Sequence, residues 1–348
     1  MKKKSLRRRP GSFLLIFFLT ASSAGLLFFR DLPGFFKKKA ELSSKIRNRT
    51  LLFDEKSCFA AGRSGGLFSW IIKGGKRRLD QERDFIKKGF SGKFLVKEEK
   101  GGLSVSYRKI NLLEVKFLQV GLVAVLLDDA GNSRKDIERF MNLEIPLTFS
   151  ILPNERYTSE LDSFINSRGY EVFLHQPMEP RSYPKEDPGK GSLFVGMKED
   201  EIERIVEKNL SRVPHARGVN NHMGSRFTEW SPGMKSFLKI LKKEKLVFID
   251  SYTSPRTRGY ALAVELGLPA WKNQYFLDNI AEKEAVRKVL SRVREHAERE
   301  GFAAVIGHTH RRATYEALKE EKELFLKSGT QFVFMSELLE ETEEEEKR

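Results

Sequence analysis

Short runs rich in apolar residues alternate with amphipathic stretches along the chain from residue 121 onward. Such runs indicate buried strands, and an apolar residue at every third or fourth position indicates a helix. The predicted strands lie at 123–127, 145–151, 171–174, 218–221, 246–249, 274–277, 303–307 and 332–335. The first predicted helix has Asn132 or Ser133 as its N-cap. The other predicted helices cover about 157–168, 198–212, 232–244, 281–300 and 312–327.

Strands that alternate with helices predict an α/β fold built on a parallel sheet. The region 118–342 is long enough for a (β/α) barrel, and an open doubly wound sheet is the alternative. No glycine-rich phosphate loop follows the first predicted strand, which argues against a nucleotide-binding version.

The region before the predicted barrel, residues 51–117, has a different pattern. Glycine pairs separate short apolar runs at 67–72 and 94–96, and a helix-like stretch lies around 77–88. This pattern predicts a small α+β domain. Nothing in it indicates catalysis.

The N-terminus has the pattern of a membrane anchor. Residues 1–11 are strongly basic, and residues 12–29 carry no charge. Eighteen uncharged residues span ~27 Å as a helix, close to the thickness of the hydrocarbon core. The pattern predicts a single transmembrane signal anchor in the inner membrane, a cytoplasmic basic tail and a basic juxtamembrane linker at 30–50, with the rest of the chain outside. A signal peptide cleaved near 22–24 is the alternative.

The charge of the chain is unevenly distributed. Lys and Arg total 63 against 48 Asp and Glu, a net charge of +15. Residues 1–120 hold 28 basic and 10 acidic residues, so the excess lies entirely there, while residues 343–348 are predicted to be an acidic tail. A nucleic-acid partner is therefore not expected for the barrel.

Cys58 is the only cysteine, which excludes an intrachain disulfide and a cysteine-cluster zinc site.

Acidic and imidazole side chains follow the predicted strands directly. They are Asp128, Asp129, His175, His222, Asp250, Asp278 and His308. Because the carboxyl ends of parallel strands share one face, these residues are expected to converge. Carboxylate and imidazole groups together predict a divalent metal site, most simply Zn²⁺, with Mn²⁺, Fe²⁺ and Co²⁺ also compatible.

Five motifs resemble the divergent polysaccharide deacetylase family, a branch of the NodB-like carbohydrate esterases. They are the segments 127–131, 175–180, 220–225, 276–279 and 306–308, in the family's order, and the resemblance covers roughly 120–342. The resemblance implies a distorted (β/α) barrel with a divalent metal at the carboxyl ends of its strands.

The resemblance also implies roles for particular residues. The first of two adjacent aspartates is the general base and the second a metal ligand, which maps onto Asp128 and Asp129. A late histidine that acts as general acid maps onto His308. The usual His-x-x-x-His motif is absent, and His175 and His222, on different predicted strands, are the candidate ligands in its place.

Other strand-end residues complete the predicted site. Asp250 or Asp278 can hold the imidazole of the general acid, and we assign Asp250 to catalysis. The predicted substrate-binding residues are Asn220, Asn221, Ser225 and Asp278. A turn or strand-end cap is the alternative for the two asparagines.

Two further predictions concern the direction of side chains. In an extended backbone Asp128 and Asp129 point in opposite directions, and His310 is predicted to be a loop residue.

The predicted activity is removal of acetyl groups from an N-acetylated envelope glycan, such as peptidoglycan or an exopolysaccharide, by a metal-dependent hydrolase. A degenerate barrel that binds a glycan or an envelope protein without turnover is the first alternative. A phosphoester hydrolase is the second, because Arg226, Arg311 and Arg312 lie near the motifs.

Overall fold

The computed structural model describes residues 35, 37–42, 53–57, 68–74, 76–90, 94–99, 101–107 and 110–339. The chain forms two compact units, residues 1–45 and 46–348, and the described part of the first is helix α1, which includes 37–42. The predicted anchor at 12–29, the basic tail before it and the acidic tail at 343–348 lie outside the described residues. No described helix is both long and apolar enough to cross a membrane.

The second unit begins with a five-stranded mixed sheet. In sheet order its strands are β1 (Phe53–Ser57), β2 (Phe68–Gly74), β5 (Ile110–Gln119), β4 (Gly102–Tyr107) and β3 (Leu95–Glu99). β2 and β5 are parallel, and the other neighbours are antiparallel. Helix α2 (Lys76–Gly89) contacts β2 and β5, with Leu79 and Ile86 buried on one face. This region thus combines strands with a helix, and it belongs to the same compact unit as the sheet that follows.

A larger sheet follows, and every strand pair in it is parallel. Its strands, in chain order, are β6 (Leu122–Ala130), β7 (Thr148–Ile151), β8 (Glu171–Met178), β9 (Ala216–Met223), β10 (Val247–Asp250), β11 (Ala270–Lys272), β12 (Phe302–His308) and β13 (Gln331–Val333). The sheet order is β11-β10-β9-β8-β7-β6-β12, and β13 pairs with the start of β6. The predicted parallel α/β sheet is confirmed.

The sheet curls into a half-barrel. Between its edge strands β11 and β12 runs an irregular segment with a single bridge, Phe276 to Ile306. Two backbone hydrogen bonds hold this bridge: the Leu277 N–H donates to the Ile306 carbonyl at 2.8 Å, and the Ile306 N–H donates to the Tyr275 carbonyl at 3.0 Å. This contact brings residues after position 277 beside the end of β12.

Seven α-helices connect these strands. They are α3 (Arg134–Met141), α4 (Thr158–Ser167), α5 (Glu199–Arg212), α6 (Ser231–Lys243), α7 (Gly259–Glu265), α8 (Lys283–Glu300) and α9 (Arg312–Lys327). Ser133 is the N-cap of α3, and its side chain accepts a hydrogen bond from the Asp136 N–H at 3.2 Å. Along α8 the buried residues Val286, Leu290 and Val293 recur at helical spacing. These helices and the outward side chains of the strands form one large apolar core.

A second apolar cluster includes the alternate side chains of the strands. It consists of Ala124, Leu126, Phe173, Ile249, Ala304, Ile306, Met335, Leu338 and Leu339. Because successive strand side chains point to opposite faces, these residues belong to the concave face and their neighbours to the outer core. Leu338 and Leu339, in the helical turn at 335–339, fill the concave face from the amino ends of the strands. The carboxyl ends are left to polar residues.

Two predicted strands are corrected. The segment 274–277 contributes one bridge instead of a strand, and the regular strand β11 precedes it. The last strand ends at Val333 because Glu171 accepts hydrogen bonds from the N–H groups of Met335 and Ser336, which begins a helical turn there. Helix α7 was not predicted.

Candidate metal centre

An irregularity in β6 positions two adjacent carboxylates. Leu127 pairs with Phe149 and Ala130 with Ile151, so Asp128 and Asp129 together face one residue of β7. This is a β-bulge, and Asp129 adopts a left-handed backbone with φ of 59°. Both carboxylates consequently reach the same imidazole. The prediction that they point apart in an extended backbone is wrong, because the backbone is not extended here.

The shared imidazole belongs to His175, at the end of β8. Its Nε2 lies 3.5 Å from Asp128 Oδ2 and 3.4 Å from Asp129 Oδ1. His222, from the neighbouring strand β9, places its Nδ1 3.2 Å from Asp129 Oδ1 and 3.2 Å from His175 Nε2. The three predicted ligands are therefore brought together, as the only such group among the described residues.

The geometry of these three atoms fits a metal ion. Tetrahedral zinc with ligands at ~2.0–2.1 Å places its ligand atoms ~3.3 Å apart. The three distances are 3.4, 3.2 and 3.2 Å. Asp129 Oδ1 is buried and makes no hydrogen bond, although two imidazole nitrogens lie beside it. A buried carboxylate oxygen without a hydrogen bond, beside two imidazole nitrogens, is a place where a cation could bind.

The two aspartates have opposite electrostatic environments. Burial raises the pKa of Asp128 above its usual range, although His175, His308 and Asn220 act in the other direction. For Asp129 burial also raises the pKa, but the imidazoles of His175 and His222 outweigh it and hold the pKa well below the usual range. Asp129 is thus suited to remain an anionic ligand, and Asp128 to accept a proton.

A second acid–imidazole pair lies beside the ligands. His308, at the end of β12, has its Nδ1 2.7 Å from Asp278 Oδ1, and its backbone N–H donates to Asp278 Oδ2 at 2.9 Å. Thr314 donates to the same Oδ2 at 2.6 Å. The Phe276 ring stacks on the imidazole with centroids 6.4 Å apart. Because Nδ1 is engaged, Nε2 is the nitrogen that can meet a substrate.

The charge of His308 is stabilised by this pair. Burial disfavours the imidazolium, but the hydrogen bond to Asp278 and the fields of Asp128, Asp278 and Asp129 raise the pKa of His308 to about 9. For Asp278 burial raises the pKa, while His308 and Thr314 lower it below its usual range overall. At neutral pH the pair is an ion pair that holds a transferable proton.

The assignment of Asp250 to catalysis is corrected. Asp250 is fully buried, and its carboxylate accepts hydrogen bonds from the Tyr252 N–H at 3.0 Å, the Tyr260 N–H at 2.9 Å and the Thr257 hydroxyl at 2.8 Å. These contacts fold the loop after β10. Asp278, predicted to bind substrate, is instead the carboxylate that holds His308.

The residues that were predicted to bind substrate contact other residues of the protein instead. Asn220 and Asn221 are buried, and Asn221 donates to the Met223 carbonyl at 2.7 Å and accepts from the Ser251 N–H at 2.9 Å. Ser225 accepts a hydrogen bond from the Arg181 N–H at 3.0 Å, which joins two loops. Both asparagine amides are buried and form hydrogen bonds within the protein, so neither is placed to contact a substrate directly.

One further residue lies beside the site, although it was not among the predicted site residues. His310 lies in the turn after β12, as predicted, but its Nδ1 is 3.8 Å from Asp129 Oδ2 and its side chain is half exposed. Its ring lies 5.6 Å from that of His308. The spacing of two residues between His308 and His310 was the available signal.

A parallel α/β half-barrel with an Asp–His–His set at the carboxyl ends of its strands, and an Asp–His pair beside it, defines a protein of the polysaccharide deacetylase type. The chain belongs to the divergent polysaccharide deacetylase family, whose model matches residues 125–339. The predicted family is therefore confirmed.

Two curated relatives match about half of the chain. The uncharacterized protein YibQ of Escherichia coli K12 is 32% identical over 190 residues, 55% of this chain and 59% of YibQ. An uncharacterized protein of Haemophilus influenzae is 28% identical over 186 residues, 53% of this chain and 66% of that protein. The chain thus spans less than two thirds of each curated relative. The crystal structure of ATU2773 from Agrobacterium tumefaciens, also uncharacterized, shares the fold with a TM-score of 0.59 and 20% identity, over 63% of this chain and 89% of that one.

Proposed function

We propose that the protein is a metal-dependent hydrolase that removes acetyl groups from an N-acetylated glycan of the cell envelope. One observation carries the proposal: the orphaned Asp129 Oδ1 lies between two imidazole nitrogens at metal-ligand spacing, with a base and an acid on either side. Family membership supports the class of reaction. The glycan is proposed from the family and from the predicted export of the chain.

Asp129, His175 and His222 would hold the cation, and zinc is proposed because one carboxylate and two imidazoles are ligands that zinc commonly takes. A divalent cation there would polarise the acyl carbonyl and make a nearby water more acidic. His175 is nearly fully buried, whereas the side chains of Asp129 and His222 are 24% and 20% exposed. Substrate would therefore approach from the side of Asp129 and His222.

Asp128 is the proposed general base. Its Oδ2 lies 3.5 Å from His175 Nε2, so it borders the ligand set without belonging to it. A raised pKa suits a carboxylate that must take a proton from the attacking water. The carboxylate holds this proton while the acyl carbon is attacked.

His308 is the proposed general acid. Amide cleavage requires a proton on the departing amine, and an imidazolium held by Asp278 can give it from Nε2. Asp278 keeps the ring oriented by accepting from both Nδ1 and the backbone N–H of His308. The base and acid come from β6 and β12, which are paired with Asp128 opposite His308.

An exported, membrane-anchored location is part of the proposal. It is supported by the basic segment 1–11 and by the uncharged segment 12–29. The glycan partner would then lie outside the inner membrane.

The test combines metal content with acetate release. The full chain, Asp129→Ala and His222→Ala would be purified, loaded with Zn²⁺, dialysed and assayed on N-acetylglucosamine oligomers and peptidoglycan. We expect one zinc per wild-type chain, little in either variant, and zinc-dependent acetate release by the wild type alone. A folded wild type without stoichiometric metal would overturn the proposal. Bound zinc and glycan without acetate release would favour the binding-module alternative.

A further inference from the structure

Asn220 is a fully buried residue of β9 whose amide links four other side chains. Its Oδ1 accepts a hydrogen bond from Ser150 and lies 3.1 Å from His175 Nδ1. Its Nδ2 donates to Asp128 Oδ1 at 3.0 Å and to Ser251 Oγ at 3.1 Å. An amide has two acceptor lone pairs and two N–H donors, so the hydrogen-bonding capacity of Asn220 is fully used.

The neighbours of this amide decide which way round it lies. Amide oxygen and nitrogen are assigned from the hydrogen-bond network. The amide nitrogen of Asn220 faces Asp128 Oδ1, to which it donates, and the amide oxygen faces His175 Nδ1. The reverse orientation would place the amide oxygen against the carboxylate oxygen at about the same 3.0 Å. The amide oxygen therefore faces His175.

This orientation selects the tautomer of His175. Because Oδ1 of Asn220 can only accept, His175 must carry its proton on Nδ1. A neutral imidazole with Nδ1–H presents a lone pair at Nε2. Nε2 is the atom that lies 3.4 Å from Asp129 Oδ1 and 3.2 Å from His222 Nδ1. The tautomer imposed by Asn220 is the one that a metal ligand at this position requires.

We propose that Asn220 is a positioning residue that couples the general base to a metal ligand: its nitrogen holds Asp128, and its oxygen holds His175 with Nε2 free of a proton. The role of Asp128 in this coupling rests on the proposed function. The tautomer of His175 depends only on side chains of this chain.

Asn209 offers a matched control. It is a buried asparagine of α5 that donates to Gln176 Oε1 at 2.9 Å and to the Gly191 carbonyl at 2.8 Å. Its amide contacts neither Asp128 nor His175. Asn209→Ala therefore measures the cost of losing a buried amide without disturbing the ligand set.

The first measurement is the tautomer of neutral His175 in the metal-free full chain. Burial lowers the pKa of this imidazole, but Asp128 and Asp129 outweigh it and raise the pKa, so the spectra are recorded at the alkaline end of a pH series. Long-range ¹H–¹⁵N NMR spectra distinguish Nδ1–H from Nε2–H imidazoles, and the chain has only six histidines. The His175 signals are assigned by their loss in His175→Gln. We expect Nδ1–H in the wild type, and this result needs no variant of Asn220. A wild-type His175 with its proton on Nε2 would overturn the proposal.

The second measurement is zinc affinity, by competition with a chromophoric chelator. We expect Asn220→Ala to bind zinc ~10–100-fold more weakly than Asn209→Ala, as for other residues that orient a ligand. Asn220→Asp keeps an acceptor for His175 Nδ1–H, so it should restore zinc affinity while acetate release stays low, because Asp128 has lost its donor. Equal affinities of Asn220→Ala and Asn209→Ala would refute the coupling. A wild type with the expected tautomer and zinc affinity but no acetate release would refute only the deacetylase activity.

Discussion

Asp278 accepts two hydrogen bonds from His308, one from the imidazole Nδ1 at 2.7 Å and one from the backbone N–H at 2.9 Å. A carboxylate that binds both the ring and the backbone of one residue fixes the position and the protonation of that residue together. The pKa of His308, about 9, follows from this arrangement.

Asp278→Asn should therefore move the pH dependence of catalysis. Without the carboxylate the pKa of His308 falls, so the imidazole loses its proton at lower pH and the alkaline limb of kcat shifts toward neutral pH. We expect kcat at pH 8 to fall ~10²-fold or more, as for loss of a general acid. A pH–rate profile for acetate release measures both effects.

Asp250→Asn is the matched control for this profile, because the Asp250 carboxylate accepts its hydrogen bonds from the loop at 252–260. It should lower stability and leave the alkaline limb in place. A shifted limb in Asp250→Asn, with an unshifted one in Asp278→Asn, would restore the sequence-based assignment.

The same ion pair should make the stability of the metal-free protein depend on pH. The pKa of His308 is raised from ~6.5 in the unfolded chain to about 9 in the fold. Its stabilisation is then fully present below pH ~6.5 and lost as the pH rises through about 9, with a change of up to ~3 kcal/mol. Urea unfolding of wild type and His308→Gln at pH 6 and pH 10 measures it. The difference between the two proteins should shrink at pH 10, and a constant difference would contradict the raised pKa.

Asp128→Asn should separate catalysis from metal binding. Asparagine keeps the shape of Asp128 but cannot take a proton, so kcat should fall ~10²–10⁴-fold. Zinc content should persist, because Asp129, His175 and His222 are unchanged. Acetate release and zinc analysis on one preparation decide this. Loss of zinc from Asp128→Asn would instead make Asp128 a ligand.

Gly218→Ala should disturb the packing between β8, β9 and β10. A Cβ at Gly218 would lie 2.5 Å from the Phe173 ring and 2.5 Å from a Val247 methyl group, closer than van der Waals contact. Overpacking of this kind costs ~1–3 kcal/mol. Gly169→Ala is the comparison, because a Cβ at Gly169 meets nothing within 4 Å. The only cost there is the strain of an alanine at a φ of 76°. Thermal melts should place Gly218→Ala below Gly169→Ala.

The sequence was sufficient for the parallel sheet and for the convergence of Asp129, His175 and His222. Each of these residues follows an apolar run, and the carboxyl ends of parallel strands meet. The sequence could not decide whether Asp250 or Asp278 holds the His308 imidazole, because both aspartates follow apolar runs in the same way. Only the bridge from Phe276 to Ile306, a contact between distant segments, shows which carboxylate meets His308.

The β-bulge in β6 could not be predicted from the sequence either. A run such as 123–127 predicts a strand but not its register against β7, and the register decides whether Asp128 and Asp129 point apart or together. Helix α7 escaped prediction because its seven residues are too few for a clear apolar period.

The helical turn at 335–339 has a consequence for biosynthesis. Met335, Leu338 and Leu339 fill the same concave apolar cluster as Ala124 and Leu126, and β13 pairs with the first strand of the barrel. A nascent chain that ends before residue 331 therefore lacks the part of this cluster that Met335, Leu338 and Leu339 form. The metal centre should therefore fold only once this segment is present, and chains truncated before residue 331 should remain sensitive to protease.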